Sequence, residues 1–162
     1  MFNMVETLQI KLPKPTLRFL AIALSVSACF DAGAGGLLQP DNDRLVAIGR
    51  QVYAENCASC HGDNLEGEPD WRDRKADGKL PAPPHDQTGH TWHHADKLLF
   101  KITKFGLKRF AGKDYESDMP VYDGILSDEE IIAVLSFIKS TWPRQTRERH
   151  DQINAAAQRD AD

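Results

Sequence analysis

Cys57-Ala58-Ser59-Cys60-His61 is the stretch of this 162-residue chain best equipped for chemistry. Two thiols three positions apart can each form a thioether with a vinyl group, and the histidine directly after the second is brought beneath the metal of the group so attached. C-x-x-C-H is the attachment signature of c-type haem. Other uses of paired cysteines fit less well. A thiol–disulfide redox pair wants a βαβ context, which is missing, and a structural zinc site wants two more ligands at similar spacing, where no second cysteine pair exists. One such motif predicts one haem.

A second axial ligand follows by elimination. Haem iron in electron-transfer proteins is held by His and Met, the thioether helping to raise the reduction potential. Of the methionines at 1, 4 and 119, the first two lie in a segment with the layout of an export signal. Met119 remains, and it directly precedes Pro120, which pushes residue 119 out of helical geometry into an extended loop. A lone methionine is usually a core filler. Beside a haem motif, the expected set is His61 and Met119 on the iron, with Cys57 and Cys60 as thioethers.

The third cysteine, Cys29, concerns location. Met1 to Arg18 carries Lys11, Lys14 and Arg18, and the ten residues Phe19 to Ala28 carry no charge. That run is too short for a permanent membrane helix, which needs roughly 20 residues, and has the plan of a secretory signal. It ends at Val26-Ser27-Ala28-Cys29, which resembles the bacterial lipobox, so Cys29 is expected to carry a lipid anchor on the periplasmic side of a bacterial envelope membrane. The alternative is soluble periplasmic export with cleavage after Ala32-Gly33-Ala34. Residues 1–28 are thus expected to be signal peptide, 29–41 a flexible Gly-rich tether, 42–143 the folded domain and 144–162 a charged tail, a solvated or frayed helix.

Composition sets outer bounds. A hydrophobic fraction of 41% and mean hydropathy of -0.49 suit one folded domain and exclude a multispanning membrane protein. Net charge is -4, and removal of residues 1–28 takes three basic residues and one acidic one, leaving 134 residues at -6. Nucleic-acid binding has no electrostatic footprint here, and a redox partner is expected to dock through a basic patch of its own.

The elements that must position the motif are helical. Between Asp43 and Asn56, Leu45, Ile48, Val52 and Tyr53 recur at helical spacing, with Gly49 on nearly the same face. Ser127 and Glu130 form a capping box ahead of a stripe of Ile131, Val134, Leu135, Ile138 and Trp142, widened by Ile132 and Phe137, which predicts a helix buried on more than one side. A third helix is predicted over about 95–105 from Leu98, Leu99 and Ile102, with Gly106 as its stop. Gly62 to Thr91 is rich in Gly, Pro and charge and reads as irregular loop.

Gly49-x-x-x-Tyr53-x-x-x-Cys57-x-x-Cys60-His61-Gly62, then Met119-Pro120, then Ser127-Asp128-Glu129-Glu130 leading to Phe137 and Trp142-Pro143 resemble a class I, single-haem c-type cytochrome of the small bacterial type. The resemblance implies an all-α cytochrome c fold, three to four helices around one covalently attached haem, with the first and last helices crossing at Gly49 and Phe137. It also implies that a proline carbonyl accepts from His61, with Pro81, Pro83 and Pro84 all eligible. The expected function is a one-electron carrier between Fe(II) and Fe(III), not an enzyme, in an electron-transport chain. The alternative is a peroxidase-like haem enzyme or ligand sensor with a displaceable distal ligand. It draws on His85, His90, His93 and His94, which gather beside Trp92 and admit three roles: a copper or zinc site, a contact to a haem propionate from His90, Trp92 or a nearby arginine, or solvated imidazoles in a polar loop.

Overall fold

A computed structural model of the chain describes residues 36–160. The signal peptide, Cys29 and residues 30–35 of the expected tether lie outside them. The described elements are all helical: α1 (Asp43–Asn56), α2 (Ala58–His61), a 3₁₀ turn (Thr91–His93), α3 (Asp96–Phe105), α4 (Lys108–Ala111), α5 (Asp128–Ser140) and α6 (Arg144–Arg159).

α1 starts where the Asn42 side chain accepts from the Leu45 N–H at 3.2 Å. Its buried face is Gly49, Val52 and Tyr53 with Val46 packed alongside, whereas Ile48, expected inside, is 43% exposed. The inward stripe is therefore rotated slightly from the expected one. α5 opens on the predicted capping box, with Glu130 N–H on Ser127 Oγ at 3.2 Å and Ser127 N–H on Glu130 Oε2 at 2.8 Å. From Ile131 to Lys139 every residue except Ile132 is buried, so α5 is the central rod of the fold.

The α1–α5 pairing is the most extensive between helices, and Gly49 makes it possible. A Cβ there would lie 2.5 Å from the Ala133 carbonyl carbon and 2.9 Å from Phe137 Cβ. Glycine in mid-helix sacrifices about 1 kcal/mol relative to alanine, and in return two backbones approach closely. Around this crossing Tyr53, Leu65, Leu99, Ile131, Val134, Phe137, Ile138 and Trp142 form one core.

Both ends of the described segment differ from expectation. Residues 36–41, assigned to the tether, are strapped onto the fold: Leu38 is buried, its N–H donates to Asp96 Oδ2 at 3.0 Å, and Gln39 N–H donates to Ser136 Oγ at 2.9 Å. After Pro143 the expected tail is the sixteen-residue α6, docked rather than frayed. His150 on it is fully buried, donating from Nε2 to the His94 carbonyl at 3.0 Å. Asn154 clasps Asp96 twice, accepting from its N–H at 2.7 Å and donating to Oδ1 at 3.0 Å. The buried Asp96 carboxylate thus ties the strap, α3 and α6 together. These are polar contacts between distant residues, to which hydrophobic periodicity is blind.

Candidate haem site

The site is built on the end of α1. The chain turns at Cys57 into the single turn α2, which carries Cys60 and His61 and stops at Gly62, whose φ of +81° few other residues would adopt. Tyr53, one turn before Cys57, donates its hydroxyl to the Gly62 carbonyl at 2.8 Å and so brackets the motif from both sides. Cys57 is half-buried and Cys60 exposed, and neither is in a disulfide. Burial, reinforced by the neighbouring Cys60, pushes the Cys57 thiol up to about 11 and holds it as S–H at neutral pH.

His61 is buried, and its Nδ1 lies 2.8 Å from the carbonyl oxygen of Pro83. A carbonyl only accepts, so Nδ1 carries the proton and Nε2 is the nitrogen left for a metal. Of the three eligible prolines it is Pro83 that faces the imidazole. Burial lowers the His61 pKa, against an opposing pull from the Pro83 carbonyl and Glu68, and favours the neutral ring that a metal requires. Two free thiols and an imidazole with one committed nitrogen, all within one turn, form a donor set that fits a covalently held haem.

Met119 is half-buried on the loop between α4 and α5, and its N–H donates to Ser117 Oγ at 3.1 Å. That loop is tied down in three places. Tyr122 donates its backbone N–H to the Thr103 carbonyl at 3.3 Å, Asp123 its own to Lys104 at 2.9 Å, and the buried Tyr122 hydroxyl reaches the Asn56 carbonyl at 2.6 Å. Asn56 immediately precedes Cys57, so one phenol links the methionine loop to the attachment turn. On the far side of Met119, Asp118 pairs with Lys75 and Lys79. Neither tyrosine's role was legible in the sequence, although Tyr53 at four residues before Cys57 sits one helical turn from the motif.

The family model for cytochrome c matches residues 46–142. This chain belongs to the cytochrome c family. Membership carries with it covalently bound haem c, for which Cys57 and Cys60 are placed, and haem-based electron transfer. Over 126 residues the chain is 27% identical to the FixP subunit of a cbb3-type cytochrome c oxidase from Bradyrhizobium diazoefficiens, covering 74% of this chain and 40% of that protein. Over 134 residues it is 34% identical to a nitrite reductase from Stutzerimonas stutzeri, covering 79% of this chain and 21% of that protein. The chain thus spans less than half the length of either relative. No solved structure matches it.

The four loop histidines do different things. His85 turns inward and stacks on His61, while His90 stacks on Trp71 and meets His94 edge-on, both at 5.4 Å, and His93 lies against Trp92. The Trp92 indole N–H is spent on the Gln87 carbonyl at 3.3 Å rather than left for a propionate. Among the described residues no three His, Cys, Asp or Glu side chains gather as a metal site.

Proposed function

We propose that this protein is a periplasmic one-electron carrier with a single haem c, its iron held axially by His61 and Met119. The observation carrying the reading is the Tyr122 hydroxyl on the Asn56 carbonyl at 2.6 Å, which ties the loop of the chain's lone mature methionine to the attachment turn. Haem c supplies one redox centre that gains or loses a single electron. Cys57 and Cys60 would keep the cofactor from dissociating, the Pro83 carbonyl leaves Nε2 of His61 as the nitrogen for the iron, and Pro120 biases Met119 toward extended backbone on the loop that would supply the second ligand. An iron held by both residues would keep no coordination site open to a substrate, which favours a carrier over an enzyme.

Redox proteins are the partners such a carrier needs, and the relatives' names, an oxidase subunit and a nitrite reductase, suggest respiratory donors or acceptors. The formal charge of -6 after signal removal favours docking on a basic patch, with rates that fall as salt rises. Lipidation at Cys29 would hold the domain close to its membrane: with the strap packed from Gly36 onward, seven residue steps remain, at most about 25 Å. Mass spectrometry of the mature N-terminus tests that part. The carrier reading is tested by spectroelectrochemistry and ligand binding. A single one-electron Nernstian wave, slow carbon monoxide binding by the reduced protein and no peroxide turnover are expected, and fast carbon monoxide binding or peroxide turnover would establish the enzyme or sensor instead.

A further inference from the structure

We propose that His85 is a positioning residue for the proximal imidazole, its ring setting the plane in which His61 meets the haem iron; this rests on His61 being an axial ligand. The His61 and His85 rings are stacked, centroids 3.9 Å apart and planes 21° from parallel. The single hydrogen bond from His61 Nδ1 to Pro83 fixes a direction for that ring but leaves it able to rock about the bond. A flat neighbour in contact with its face removes that freedom.

A neighbour can do this only if it is itself immobile, and His85 is pinned at three points. Its N–H donates to the Leu65 carbonyl at 2.8 Å, its carbonyl accepts from the Trp142 indole at 2.7 Å, and its ring Nδ1 lies 2.8 Å from Thr91 Oγ1. Leu65 takes the left-handed conformation, φ +65°, although it is not glycine, so the turn after the haem motif is held in a sparsely populated geometry while its carbonyl receives this bond. The Tyr53 ring stands edge-on to His85, centroids 6.4 Å apart. The carbonyl that aims His61 and the ring that flattens it are two residues apart, joined by the buried Pro84, so hydrogen bond and stack are delivered by one stiff segment.

The orientation of the axial ligands, the proximal imidazole among them, shapes the g values of low-spin ferric haem and the pattern of hyperfine-shifted haem methyl resonances. The experiment compares ferric holoprotein of wild type, His85→Leu, His85→Phe and Thr91→Val by electron paramagnetic resonance and proton NMR. His85→Leu removes the flat face and is expected to move the largest g value and reorder the methyl shifts. His85→Phe restores a flat face and should return toward the wild-type pattern, while Thr91→Val, which frees the ring without removing it, should move the same way as His85→Leu by less. Wild-type spectra in both His85→Leu and Thr91→Val would overturn the proposal, as would a His85→Phe shift as large as that of His85→Leu. Should His85→Leu not accumulate as holoprotein, the other two decide: a shift in Thr91→Val with a wild-type pattern in His85→Phe supports positioning, and no shift in Thr91→Val overturns it. A wild type lacking a low-spin His–Met signature would instead defeat the axial assignment beneath it.

Discussion

Replacing Tyr122 with Phe deletes one oxygen from a side chain that is 6% exposed and leaves the ring to fill its place. What is lost is the 2.6 Å bond to the Asn56 carbonyl, the side-chain tie between the Met119 loop and the attachment turn. Burial, with the nearby cysteines adding to it, holds the Tyr122 phenol up at about 12, so the wild type donates this bond throughout the usable pH range. The net worth of such a bond is about 0.5–1.5 kcal/mol. If the loop must lift away for Met119 to leave the iron, the bond stabilises the closed state by that amount and its loss favours the open state roughly two- to twelvefold, centred on about fivefold. An external ligand that competes for the vacated position reads this directly. Imidazole titrated into ferric protein should bind Tyr122→Phe about fivefold more tightly than wild type. An equal affinity, with Tyr122→Phe otherwise folded and haem-loaded, would refute the view that Tyr122 secures the methionine loop.

Gly49→Ala puts a methyl group against the Ala133 backbone carbonyl, which no rotamer change can relieve, so the gain in helix propensity is outweighed and stability falls by about 1–3 kcal/mol, or roughly 5–10 °C in melting temperature of the holoprotein by circular dichroism. Asp96→Ala strands the buried donors of Leu38 and Asn154 and should cost about 3 kcal/mol or more in denaturant unfolding, while the visible haem spectrum stays unchanged. Stability should also fall on acidification. Burial and Lys139 hold the His150 pKa below its ordinary value despite the nearby Asp96, so below about pH 6.5 the unfolded chain takes up a proton that the folded one resists, and the unfolded state gains. Denaturant midpoints should therefore be flat above about pH 7 and drop toward pH 5, with a shallower slope in His150→Gln; an unchanged slope would count against this origin.

What could be read from sequence was local. C-x-x-C-H, the Ser127–Glu130 box and the period of α1, α3 and α5 are relations among neighbours, and the glycine-to-aromatic crossing followed from the resemblance. Ile48 was misplaced because a helical stripe is wider than the face that a partner covers, and which edge is buried depends on where α5 crosses. The strap and α6 were misread because their anchors are polar, Asp96, His150 and Asn154, and such residues ordinarily mark a solvated surface until their partners are known. The same limit hid the choice of Pro83 and the stacking of His85 on His61, since four histidines within ten positions give no hint of which one turns inward.

The central claim is the His61–Met119 pair, and the absorption spectrum of the oxidised protein in the far red tests it most directly. The weak charge-transfer band of a methionine sulfur on ferric haem is expected in the wild type and should vanish in Met119→Leu. Its absence from the wild type, or its survival in the variant, would contradict the assignment.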